Sequence, residues 1–131
     1  MKKTAYAFSK TVDRDFEQSL QKVKEELKKE GFGVLTEIDV QATLKKKLGA
    51  DFRPYKILGA CNPPFAYKAL QAEEQIGLML PCNVIVYVNE EKKTVIAAID
   101  PEASMMAIDN PALQSISKEV QAKLKSVMER C

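Results

Sequence analysis

The stretch GLMLPCNVIVYVNEEKKTVIAAI, residues 77–99, decides how the rest of the chain is read. From Gly77 to Asn89 one phase of a two-residue alternation, Leu78, Leu80, Cys82, Val84, Val86 and Val88, is wholly apolar. The other phase, Met79, Pro81, Asn83, Ile85 and Tyr87, is largely so, and a run of that period is a strand covered on both faces. Pro81 lacks an amide hydrogen and so marks an edge or a bulge. The run NEEKK, residues 89–93, then turns the chain into a second strand over Thr94–Ile99, which predicts an antiparallel hairpin.

Working back from the hairpin, the chain alternates between strand and helix periods. Residues 4–12 alternate and read as a first strand, with Asp13 as the cap of a helix. Phe16, Leu20, Val23 and Leu27 recur at steps of four, three and four and form one apolar stripe, ended by Gly31. Residues 32–38 read as a second strand, and Asp39 caps a short helix carrying Val40, Leu44 and Leu48 before Gly49. A third strand runs from about Tyr55 to Ala60, with Gly59 at its end. Asn62 then caps a short helix that has Pro63 at its first position, where a missing N–H does no harm, and that reaches about Glu74. Forward of the hairpin, residues 100–110 read as irregular with one helical turn. Asn110 and Pro111 repeat the cap-plus-proline signal before the stripe Leu113, Ile116, Val120, Leu124 and Val127.

These elements make one α+β domain over residues 1–131, a five-stranded mixed, mostly antiparallel sheet. Two long helices bury their stripes on one face, and two short helices occupy the middle connections. The opposite face receives Leu35, Met79, Ile85 and Tyr87 and is too apolar to stand in water, so the short middle helices are expected to cover part of it and a second copy of the chain the rest.

Composition removes several function classes. At 131 residues, 46% hydrophobic and 29% charged, the chain is an ordinary globular domain able to bury a core without disulfide or metal staples. A net charge of +2 with interleaved signs argues against nucleic acid as a partner, and Lys45, Lys46 and Lys47 read as a solvated helix edge. The start MKKTAYAFSK has two lysines, but Ser9, Lys10 and Asp13 cut short the apolar run that a signal peptide needs. No window approaches a membrane span of about 18 apolar residues. A cytoplasmic protein with reduced thiols and no membrane partner is therefore expected.

The absence of histidine excludes the usual imidazole-assisted nucleophiles and leaves acid–base work to Asp, Glu, Lys or Tyr. No glycine loop has the pattern of a nucleotide cradle. Two cysteines without histidine make an incomplete zinc set, so neither metal nor cofactor is expected.

The segments EGFGVLTEIDV, YKILGACNPPFAYKAL and GLMLPCNVIVYV, residues 30–40, 55–70 and 77–88, resemble an uncharacterised bacterial family, domain of unknown function 302. The resemblance spans roughly residues 5–125. It implies a small α+β fold, similar to the curved sheet backed by two helices of TATA-binding protein, a homodimer, and no established activity. The matching positions are Glu37 and Asp39, then Cys61, Asn62 and Pro63, then Pro81, Cys82 and Asn83.

Cys61, just before a helix start, would feel the helix dipole, although Pro63 and Pro64 remove two amide donors there. Cys82 lies in the all-apolar phase, where burial makes a thiol inert. Whether the two thiols meet is open. Two functions follow. The first is a homodimeric module that binds a small molecule or partner among Glu37, Lys56, Cys61, Asn62, Pro63, Cys82 and Asn83. The second is a thiol-dependent redox or metal-responsive protein using Cys61 and Cys82.

Overall fold

The computed structural model describes residues 1–131 throughout. The hairpin forms: β5 (Cys82–Val88) and β6 (Thr94–Ile99) pair antiparallel, with Val84 opposite Ala98 and Val86 opposite Ile96. Its turn is held by Asn89, whose Oδ1 accepts from the amides of Glu91 and Lys93, both at 3.0 Å. The remaining strands are β1 (Lys2–Lys3), β2 (Ala7–Val12), β3 (Gly33–Asp39) and β4 (Tyr55–Cys61). The helices are α1 (Phe16–Lys29), α2 (Val40–Leu48), α3 (Pro63–Ala72), α4 (Pro101–Ser104) and α5 (Pro111–Arg130).

The sheet has six strands rather than five, in the order β1-β2-β6-β5-β4-β3, and every pairing is antiparallel rather than mixed. The extra strand comes from the chain start. Thr4 turns the chain, its hydroxyl taking the amide of Ala7 at 3.0 Å, so that residues expected to form one strand fold into a small hairpin. Tight turns join β1 to β2 and β5 to β6, α2 and α3 return the chain between β3, β4 and β5, and only β2 reaches its neighbour β6 from across the chain.

The largest core lies on one face of this sheet. Leu20, Val23 and Leu27 of α1 and Val120, Leu124, Val127 and Met128 of α5 pack together on Leu58, Val84, Val86, Ile96 and Ala98. Both long helices therefore share one side, as their stripes require. The first helix is capped two residues later than expected, by Asp15 rather than Asp13: the Asp15 carboxylate accepts from the amide of Gln18 at 2.8 Å. The stripe of α2 does not become core. None of its residues is buried, because that helix meets β4 and stays clear of the two long helices.

Two further departures shape the region around Cys61. The strand expected from Gly77 begins only at Cys82; Glu74–Met79 forms a 3-10 turn that drives Ile76 into a second core with Ala69, Met105 and Leu113, while Leu78 stands 83% exposed. Gly59 does not end β4 but sits within it, and a Cβ there would collide with Thr36 Oγ1 and come within 2.9 Å of Pro81 Cγ. A bulge in β3 accompanies this close approach. Val34 pairs with Ala60 and Thr36 with Gly59, leaving Leu35 as the extra residue. The single helical turn expected within residues 100–110 forms as α4, capped by Asp100.

Candidate functional site

The short helix α3 does not lie on the sheet but against α5, beyond the ends of β4 and β5. Between them is a cavity of about 280 Å³. Fourteen of its eighteen lining residues are hydrophobic and none is charged, so the space suits an uncharged body and repels ions. Phe65, Ala66 and Ala69 come from α3, and Leu113, Ile116 and Val120 from α5. The α5 stripe thus has two tasks: its C-terminal half packs the sheet core, and its N-terminal half walls the cavity.

Cys61, Asn62 and Cys82 also line the cavity. Because β4 and β5 are antiparallel with Ala60 opposite Cys82, the two cysteines are diagonal neighbours, which answers the question the sequence left open. Asn62 is 8% exposed and does not cap α3. It faces back, its Nδ2 donating to the Glu30 carbonyl at 3.1 Å beyond the end of α1. A Cβ on Gly31, whose φ is +86°, would sit 3.2 Å from that nitrogen. Asn62 therefore ties the end of α1 to the cavity wall, and its Oδ1 accepts no hydrogen bond from the protein. The one side-chain alcohol in the wall, Ser117, donates to the Gln114 carbonyl at 3.1 Å.

The other four candidates lie outside the cavity lining. Glu37 and Lys56 do meet, at 3.2 Å, on the helix-covered face, where Lys24 of α1 also reaches Glu37 at 2.9 Å. Lys24 first, and Lys56 after it, hold the Glu37 carboxyl below its ordinary range against the opposing effect of burial. That is an ion-paired strut between helix and sheet. Pro63 is exposed at the first position of α3, and Asn83 is exposed, opposite Gly59, on the face that carries no helix.

The profile of Domain of unknown function DUF302 matches residues 8–131. The chain belongs to the DUF302 family. It is also similar to a solved structure, an uncharacterized conserved protein DUF302 from Bacillus stearothermophilus, at 31% identity and a TM-score of 0.90. The match covers 98% of this chain and 99% of that one. No curated protein matches.

In this DUF302 chain the thiols are free, and burial first, with the neighbouring Cys61 adding to it, pushes Cys82 up to about 11. A thiol so placed stays protonated at neutral pH and acts as a small, polarisable packing group. No group of three or more His, Cys, Asp or Glu side chains is arranged to hold a metal ion. No helix is long and apolar enough to cross a membrane.

Sequence reasoning located the β4–α3 bend but missed the far wall from α4 and α5. The signal was present in the α5 stripe, which extends over more turns than the edge of a sheet can cover. Leu113 and Ile116 therefore needed a second partner, and α3 supplies it.

Proposed function

We propose that this DUF302 chain is a small-molecule-binding module, with the cavity between α3 and α5 as its site. The observation that carries the reading is the cavity itself: about 280 Å³, uncharged, and reached past exposed Leu35 and Leu70. An apolar cavity of about 150 Å³ takes benzene, so one nearly twice that size takes an apolar body of about ten non-hydrogen atoms. The free Asn62 Oδ1 offers one acceptor to orient it. The protonated Cys82 gives no support to a thiolate mechanism, and the binding reading requires no bond to be made or broken.

The test is a heteronuclear NMR titration with 1-octanol. Shifts confined to Ala66, Ala69, Cys82, Ile116 and their neighbours support the site. Shifts only on the open sheet face, or none, refute it.

The module is further proposed to act as a homodimer through the sheet face that carries no helix. Tyr55 and Tyr87 stack there at 5.1 Å, and Ile38, Ile57 and Ile85 align across three strands. Five strands about 4.8 Å apart and about 20 Å long present on the order of 500 Å². The relief of the tyrosine and isoleucine side chains raises this toward the roughly 800 Å² per partner of a standard interface. A surface without charge along its centre meets a second copy of itself without like-charge repulsion, which suits a twofold interface. Sedimentation equilibrium of the wild type and Ile57→Asp is expected to give dimer and monomer respectively; a monomeric wild type refutes it.

A further inference from the structure

The cavity is uncharged, but its surroundings are not. Lys68 of α3 and Lys123 of α5 place their ammonium groups 5.8 Å and 6.0 Å from the centre of the Phe65 ring, which is part of the cavity wall. Each lysine stands one helical turn beyond a lining residue, Phe65 for Lys68 and Val120 for Lys123. Lys68 makes no ion pair. The carboxylate beside Lys123 is Glu30, at a loose 3.9 Å, and Arg130 already holds that group at 3.1 Å. The other acid at this end of α1, Glu26, is taken up by Lys22, Lys29 and Arg130. Positive charge is thus in excess beside Phe65. The start of α3 contributes little to it: Pro63 and Pro64 carry no N–H, Asn62 makes no side-chain cap, and only the Phe65 amide is left without an acceptor.

We infer that the ligand of this site is an anionic amphiphile, with its apolar body in the cavity beside Ala69 and Ile116 and a carboxylate-type head at the rim between Lys68 and Lys123. The inference rests on the cavity reading above and adds the class of ligand to it. An ammonium over a phenyl ring is attracted only weakly at an exposed site, so two of them on one ring leave their charge available. A head held there stays partly hydrated, which avoids burying an ion in a wall that offers it no partner.

The test compares octanoate with 1-octanol by NMR titration on the wild type and on the double variant Lys68→Gln/Lys123→Gln. Loss of two exposed ion pairs is expected to weaken octanoate about two- to thirtyfold and to leave 1-octanol unchanged. At 0.5 M NaCl the wild type should approach the variant for octanoate alone. Equal weakening of both probes, or an unaltered octanoate affinity, overturns the anionic head while the cavity stands. Failure of both probes to shift cavity resonances overturns the cavity itself, and the head group with it. Both lysines are partly exposed, and a dispersed spectrum of the variant confirms that its fold is intact.

Discussion

Replacing Ala66 by leucine separates a real cavity from a tightly packed wall. Ala66 lies on α3 and is part of the cavity lining, half-buried. Leucine adds three carbons at a helix position it tolerates almost as well as alanine does. At about 0.8 kcal/mol per buried CH₂ the addition stabilises by at most about 2.4 kcal/mol, and partial exposure reduces this to about 1–2 kcal/mol. For a chain of this length that gain raises Tm by roughly 3–8 °C. The assay is paired thermal and urea unfolding of wild type and A66L, followed by the 1-octanol titration, in which the variant should lose binding because its own side chain occupies the space. Inserting methylenes into a close-packed interior costs about 1–3 kcal/mol instead. A66L less stable than wild type by such an amount would show that the space does not exist in solution, and the binding account would fall with it.

Three other outcomes follow from the same structure. Buried Glu26 is held down to about 2 from an ordinary 4.5, first by Arg130 and then by Lys22 and Lys29. Its stabilisation is therefore complete above about pH 4.5 and is lost as pH falls toward 2; the urea midpoint should drop through that window, and E26Q should flatten the drop. G59A should destabilise by about 1–3 kcal/mol, since its Cβ meets Thr36 Oγ1 and Pro81 Cγ, and adding T36A should recover part of the loss in a double-mutant unfolding cycle. Cys82, raised from 9.0 to about 11, should react with iodoacetamide at pH 7 roughly a hundredfold more slowly than an unperturbed thiol, and labelling at the unperturbed rate would contradict its burial.

The elements that were legible in the sequence are those whose pattern is set by their own residues. The stripes of α1 and α5 required a shared sheet face, and the NEEKK turn required a hairpin, because side-chain period and turn chemistry act locally. The misreadings lie where a distant contact outweighs a local signal. Residues 77–80 alternate like a strand, but burying Ile76 against Met105 and Leu113 stabilises a 3-10 turn there. Asn62 has the sequence context of a helix cap, yet the Glu30 carbonyl, thirty-two residues away, takes its side-chain amide. Gly59 looks like a strand end because only the bulge in β3 and the ring of Pro81, both remote in sequence, reveal why a side chain is forbidden there. The candidate site divided in the same way. Cys61, Asn62 and Cys82 came together because β4 pairs with β5, whereas Glu37 is held between Lys56 and Lys24 of α1.

The central claim is most directly measured by diffraction from crystals of this chain pressurised with xenon, an atom that enters apolar cavities and gains nothing from polar ones. The account predicts a xenon peak enclosed by Phe65, Ala69, Cys82 and Ile116. Ordered water hydrogen-bonded through that space, or side chains closed over it with no xenon, would contradict it.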